Sequence, residues 1–286
     1  MPRVTTSLTP TSIEARRDLD IGIIGSGRLG TALSSALVAA GYTRIHPASR
    51  ATGSIDAIVE ACALVLLAVP DRAIGSLAET LAWRAGQGIV HCSGALGLDV
   101  LVAATAQGAT AGCLHPLQTF PSASTPAADA ARFRGITCGV EGASPLGDLL
   151  EGIASDLGAR SVRLEGVDRA RYHAAAVLVS NDVAALMAAG TRAWTQAGLP
   201  EDAARESLAP LLLSAASNVA RLPLAEALTG PVARGDTGTV ARHLAALAGD
   251  PDLSAVYRAL GRELLRLDLG HSVEVREALA VLFRDR

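Results

Sequence analysis

The sequence predicts a doubly wound α/β domain followed by an all-helical domain, and three observations carry that prediction. Over residues 20–166, short aliphatic or β-branched runs alternate with segments of helical period, the pattern of a parallel sheet wrapped by helices. Most of those runs are continuously apolar, as strands covered on both faces are. Beyond Gly166 the strand signals stop, and Ala-rich segments of helical character run to the C-terminus. A chain of 286 residues has room for two domains, each with its own core. The expected division is a disordered tail over 1–18, the α/β domain over 19–166 and the helical domain over 167–286.

The first 18 residues are rich in Thr, Ser, Pro and Arg and lack the apolar core of a secretory signal. They are expected to be a disordered tail, and the protein is expected in the cytoplasm. The strand expected over 20–24 runs directly into Gly25-Ser26-Gly27-Arg28-Leu29-Gly30, and residues 31–40 continue as a helix. Strand, glycine-rich turn and helix in that order make a dinucleotide-binding, Rossmann-type fingerprint. Gly25 permits the tight turn, Gly27 lets the backbone approach a pyrophosphate, and Gly30 lets the helix pack on the strand. The unpaired N–H groups of the helix start, around Ser26, Arg28 and Leu29, would receive the phosphates.

A second strand, 44–48, is followed by Ser49, Arg50, Ala51 and Thr52. An NAD-binding domain places an acidic residue at that strand end to hold the ribose 2′-hydroxyl. Here a guanidinium stands there instead, where Arg50 would clamp a 2′-phosphate with Ser49 and Thr52 supplying hydroxyls. NADP(H) is the expected cofactor; the alternative is that Arg50 is a solvated surface residue.

Further strands are expected over 63–69, 88–91, 110–114, 136–140 and 161–164. Between Leu114 and Phe133, Pro116, Pro121 and Pro126 exclude regular structure, and a loop of that length is more often functional than not. In the helical domain, 174–189 is hydrophobic nearly all round. That pattern implies a helix buried on several sides, within its domain or against another subunit, with a homodimer built on these helices as the natural arrangement.

Composition narrows the function. The longest apolar run, 61–70, is about half of the roughly 20 residues that a membrane span needs, so no membrane partner is expected. A net charge of −3 with 3% aromatic residues provides neither the basic footprint nor the stacking platform of a nucleic-acid binder. Cys62, Cys92, Cys113 and Cys138 lack CxxC spacing and are expected to be buried, unpaired thiols rather than a metal site. All 25 basic residues are arginine, which excludes any mechanism that needs a lysine.

At Ala68-Val69-Pro70-Asp71 the sequence resembles the 6-phosphogluconate dehydrogenase-like superfamily, which includes ketopantoate reductases, β-hydroxyacid dehydrogenases and pyrroline-5-carboxylate reductases. Four further segments sharpen the match: His91-Cys92-Ser93-Gly94-Ala95; Leu114-His115-Pro116-Leu117-Gln118-Thr119-Phe120; Tyr172-His173-Ala174 with Ser180-Asn181; and Leu228-Thr229-Gly230-Pro231 with Arg234-Gly235-Asp236. Together they look like the Rossmann-like proteins that carry a helical C-terminal domain of unassigned function. The resemblance implies that Val69 and Pro70 border the cofactor and that Ser93 and Gly94 face the small-molecule substrate. For Ser93 a turn or helix-capping role is the alternative.

Hydride transfer to a carbonyl or imine needs a positioned proton source. Many members of the superfamily use a lysine four residues before an asparagine; this chain has Asn181, but Val177 stands four before it. His173 is eight residues before Asn181, and such spacing keeps side chains on one helix face. His173, Ser180 and Asn181 are therefore expected to line one wall of a cleft, with His173 as general acid and His115 as the competing donor or substrate anchor. The alternative for His173 is a hydrogen-bonded core residue. A buried Arg234 would hold a substrate carboxylate, or else pair with Asp236. The expected activity is NADPH-dependent reduction of a small carboxylate-bearing carbonyl compound, ketopantoate-like, with imine reduction or a non-catalytic NADP sensor as rivals.

Overall fold

The structure, a computed structural model, describes residues 8, 12–48, 55–121 and 124–285. The chain divides into two compact units, 1–180 and 181–286. In the first, the elements run α1 (Ile13–Arg17), β1 (Ile21–Ile24), α2 (Arg28–Ala39), β2 (Ile45–Ala48), α3 (Ile55–Ala61), β3 (Leu64–Leu67), α4 (Asp71–Thr80), β4 (Gly88–His91), α5 (Val102–Ala106), β5 (Thr110–Pro116), α6 (Pro126–Ala131), β6 (Thr137–Glu141), α7 (Leu146–Asp156), β7 (Arg160–Arg163) and α8 (Arg169–Val179).

The described strands form one sheet in the order β2-β1-β3-β4-β5-β6-β7. From β2 to β5 every pairing is parallel, and β6 pairs with β7 in parallel. The junction between β5 and β6 is antiparallel, with His115 opposite Gly139 and Cys113 opposite Glu141. The sheet is therefore mostly parallel rather than wholly so. Helices cover both faces. Ile21, Ile23, Leu64, Leu66 and Val90 pack under α2 and α7, while Val65, Leu67 and Ile89 pack under α3 and α4. Burial on both faces is why these strands read as unbroken apolar runs.

Two segments expected to be irregular are helical. Within the expected tail, Ser12 caps α1 by accepting from the Ala15 N–H, and Arg16 ties the helix down through Asp156 at 2.8 Å. Asp156 also accepts from the Tyr42 hydroxyl at 2.8 Å. Within the Pro-rich loop, Thr125 caps α6 and Pro126 occupies its first turn, where a missing N–H costs nothing.

The second unit contains α9 (Asn181–Gln196), α10 (Glu201–Val219), α11 (Leu224–Ala227), α12 (Thr237–Ala246), α13 (Pro251–Leu264) and α14 (Val273–Leu282). Its core is Val232, Val240, Leu244, Leu265, Leu279 and Phe283, drawn chiefly from its C-terminal half. The apolar stretch over 174–189 is not buried within the chain. Neither α8 nor α9 holds a buried residue, and Leu178 and Val179 are 65% and 79% exposed. The helical run Arg169–Gln196 has the length and hydropathy of a membrane span, although 61–70 alone does not. Ser180 interrupts it: its hydroxyl donates to the Ala176 carbonyl at 2.6 Å, and its backbone leaves helical geometry (φ −123°, ψ −72°).

Candidate functional site

At the switch point of the sheet, where β1 has β2 on one side and β3 on the other, the strand ends open into a crevice. Gly25 lies there at φ +123°, and a Cβ at that position would strike the Ala68 carbonyl, so the turn needs glycine. A Cβ on Gly30 would strike the Gly25 carbonyl, which explains the close packing of α2 on β1. Gly27 faces open space and stands at the start of α2 with no side chain capping the first N–H groups. Ser26, Arg28 and Leu29 fill out this turn and the first positions of α2. An open glycine cradle beneath an uncapped helix of 12 residues fits a dinucleotide pyrophosphate.

Val69 and Pro70 flank the same turn, with Pro70 preceding the first residue of α4. Together with Gly25, Arg72, Ser76 and Thr80 they line a cavity of about 510 Å³. The expected 2′-phosphate ligands Ser49, Arg50 and Thr52 lie outside the described residues.

The second half of the site is a polar seam on the α4 side of the sheet. His91, Cys113 and Glu141 stand in register across β4, β5 and β6, and His115 lies one step nearer the rim, opposite Gly139. Helix α8 crosses this seam with Arg169, Tyr172 and His173, whose i, i+3, i+4 spacing puts them on one face. The Tyr172 hydroxyl is 2.9 Å from His115 Nδ1. The rings of His115 and His173 meet edge-on at 6.2 Å. Both imidazoles lie over Gly94, where a Cβ would sit 2.6 Å from His115 Cε1 and 2.9 Å from His173 Cδ2. A Cβ on Gly139 would sit 2.5 Å from the Tyr172 hydroxyl. Two glycines thus make the room that this cluster occupies.

Ser93 is buried, and its hydroxyl is spent on the turn: it donates to Asp71 at 2.9 Å and accepts from the Ala95 and Leu96 N–H groups at 3.2 Å. The turn reading is the observed one, and Ser93 shapes the loop that presents Gly94. Arg169 holds that loop to β5, donating to the Leu96 and Ser93 carbonyls at 3.0 and 3.2 Å and to Cys113 Sγ at 2.9 Å. Its remaining nitrogen faces Glu141 at 3.5 Å.

Burial pushes His91 and His115 down to about 4, with the Arg169 charge adding to the shift of His91 and those of His173 and Arg169 adding to that of His115. Burial pushes the Tyr172 phenol up to about 12 and raises the Glu141 carboxyl above its ordinary value. Two histidines held neutral have a consequence for stability. A histidine whose folded pKa lies below its unfolded value binds more protons when unfolded, so folding weakens as pH falls through that window. Between pH 6.5 and 4, each is expected to remove on the order of 3 kcal/mol. Urea midpoints at pH 7 and 4.5 should differ accordingly. His91→Asn, which keeps an acceptor for the Ser93 N–H at 3.2 Å, should flatten the dependence, and a flat wild-type profile would refute this account.

Three expectations are corrected. The break at Ser180 means that His173 and Asn181 do not share one continuous helix face; Asn181 is the first residue of α9, in the second unit. Ser180 spends its hydroxyl on Ala176. Arg234 is exposed rather than buried, because it lies in the turn between α11 and α12, and Asp236 caps α12 through the Thr239 N–H at 2.9 Å instead of pairing with it. Conversely, Tyr172, Arg169, Glu141 and Asp71 join the site without having been singled out for roles in it. The four cysteines are free and buried. Among the described residues, no group of three or more His, Cys, Asp or Glu side chains is arranged to hold a metal ion.

Residues 5–116 match the Rossmann-like domain, and residues 136–264 match a domain of unknown function, DUF2520. No curated protein matches the chain. Among solved structures, a Bacteroides fragilis protein provisionally named an NADP oxidoreductase is similar at 25% identity and TM-score 0.67, over 87% of this chain and 98% of its own. Protein TM1727 of Thermotoga maritima matches at 23% identity and TM-score 0.58, over 92% and 96%. The 1-pyrroline-5-carboxylate reductase of Streptococcus pyogenes matches at 18% and TM-score 0.57, over 93% and 97%; the last two likenesses concern the fold alone.

Proposed function

We propose that this chain, whose residues 5–116 match the Rossmann-like domain and residues 136–264 match DUF2520, is an NADP-dependent oxidoreductase reducing a small carboxylate-bearing carbonyl compound. The observation that carries the reading is the convergence of His115 and His173 on Gly94, beyond the end of β4, on the rim of the sheet that also carries the glycine cradle. Ligands of open parallel sheets bind beyond those strand ends. The name of the Bacteroides fragilis neighbour agrees with the cofactor.

When bound, NADPH supplies the hydride. The chain supplies the rest: the Gly25–Gly30 turn holds the pyrophosphate, Arg50 with Ser49 and Thr52 hold the 2′-phosphate, and the histidine pair faces the oxygen of the substrate. Arg169 is committed to the Ser93 loop, Cys113 and Glu141. A ketopantoate-like 2-oxo acid is the first substrate to test. The neutral state of His115 favours a second reading, because a protonated imine brings its own proton and accepts hydride without an imidazolium. The exposed apolar residues of α10, Leu211 and Leu213 among them, suit a homodimer surface.

One set of measurements tests this. Purified protein is titrated with NADPH and NADH, its mass in solution is taken, and NADPH oxidation is followed against 2-oxo acids and cyclic imines. NADPH is expected to bind at least about tenfold tighter than NADH, with Arg50→Ala removing that preference, a loss of roughly 1.4 kcal/mol or more. Turnover of a 2-oxo acid selects the first reading, and turnover of cyclic imines alone selects the second. Binding without turnover would make the chain a cofactor sensor; no binding of either nucleotide would refute the proposal, and a monomer would refute the dimer.

A further inference from the structure

The phenol of Tyr172 and the imidazole of His115 are each other's only hydrogen-bond partners among the described residues, joined at 2.9 Å. A half-buried phenol is satisfied best by donating, and an imidazole nitrogen is a better acceptor than a phenol oxygen. If Nδ1 carried the proton instead, the Tyr172 hydroxyl would have to find a second acceptor, and the described residues offer none. Among the described residues nothing bonds to Nε2, which lies over Gly94 on the side where His173 also approaches.

We propose that Tyr172 fixes His115 in the tautomer that bears its proton on Nε2, making His115 a neutral donor to the substrate and Tyr172 the group behind it in a two-step proton relay. The proposal rests on the reductase reading and adds a positioning residue to it. As hydride forms the new C–H bond, the π pair of the carbonyl moves to oxygen, and the oxygen takes the Nε2 proton. Nδ1 takes the Tyr172 proton in the same passage, so the imidazole ends neutral with the tautomer reversed, and the negative charge rests on the phenolate. Arg169 is placed to stabilise it, its guanidinium carbon 5.8 Å from the centre of the Tyr172 ring. Nδ1 then returns its proton to the phenolate while water protonates Nε2 and leaves as hydroxide, which resets the tautomer.

The groups facing His115 agree with a neutral ring. Arg169 and His173 approach from α8 and His91 from β4, all of which oppose a second positive charge; Asp71 from α4 favours one and is outweighed by them together with burial, which place its pKa at about 4.

The test is a long-range proton–nitrogen NMR spectrum of histidine-labelled, cofactor-free protein, read from pH 8 to pH 5, beside Tyr172→Phe. His115 should show a protonated Nε2 and a bare Nδ1, with no titration near 6.5. Tyr172→Phe, which keeps the ring and its packing, should mix the two tautomers and lower kcat by roughly a hundredfold with KM nearly unchanged. A protonated Nδ1, a titration near the ordinary histidine value or a spectrum indifferent to Tyr172→Phe overturns the proposal. Because the spectrum needs neither cofactor nor turnover, failure of the reductase reading leaves it decisive for the tautomer, and turnover with the wrong tautomer would sink the relay alone.

Discussion

Gly94→Ala is expected to lower kcat/KM by roughly a hundredfold while leaving NADPH affinity within about twofold of the wild type. The new methyl group would stand 2.6 Å from His115 Cε1, 2.8 Å from His115 Nε2 and 2.9 Å from His173 Cδ2, so both rings must swing away from the strand end. They are the ends of side chains and have room to give, which keeps the cost in stability small. Their alignment has no such latitude, since about 1 Å of displacement at a reacting group costs on the order of 10² in rate. The cofactor cradle lies on β1 and α2 and does not feel the change. Steady-state kinetics with a parallel NADPH titration separates the two effects. Full activity in the variant would show that the histidine pair is not the reacting wall.

Arg169→Leu is expected to destabilise the first unit by about 3–5 kcal/mol, the range seen when one member of a buried ion pair is removed. Arg169 is 9% exposed and Glu141 19%, and the arginine also carries the Ser93 and Leu96 carbonyls. Without it, Glu141 faces a low-dielectric seam with no cation. The double variant Arg169→Leu with Glu141→Leu should recover much of the loss, because two apolar side chains leave no orphaned charge. Urea unfolding of wild type, single and double variants decides the matter. A double variant no better than the single would mean that the loop carbonyls, not Glu141, account for the cost.

The strands are legible because burial on both faces makes them unbroken apolar runs, and the glycine cradle is legible because Gly25 and Gly30 each meet a backbone requirement that no other residue satisfies. The direction of β6 is not legible: an apolar run reads alike whichever way the chain passes through it. Helices α1 and α6 are short and polar, so periodicity is silent about them, although Ser12 and Thr125-Pro126 are ordinary helix-start signals. The bond between His115 and Tyr172 joins residues 57 apart, and only the fold brings them together. Arg169, Tyr172 and His173, by contrast, display their common face in the spacing itself. Nothing in the turn around Arg234 distinguishes a buried guanidinium from an exposed one.

The reversal at β6 also fixes the heading of α8. Each passage through a sheet sets the direction in which the chain leaves it, so the direction from which α8 is approached is a matter of parity. Strand β5 finishes at the rim that carries the glycine cradle; β6 descends from it, and β7, parallel to β6, descends again. The chain therefore leaves β7 heading away from the cradle, although Arg163 is level with Val140 and Leu114, and it turns back over residues 164–168 before α8 begins. Arg169 then meets the seam at Cys113 and at the Ser93 and Leu96 carbonyls, Tyr172 at His115 and His173 at Gly94. Two inverted strands, β6 and β7, thus bring the chain into the last helix of this unit by a turn back toward the working edge of the sheet.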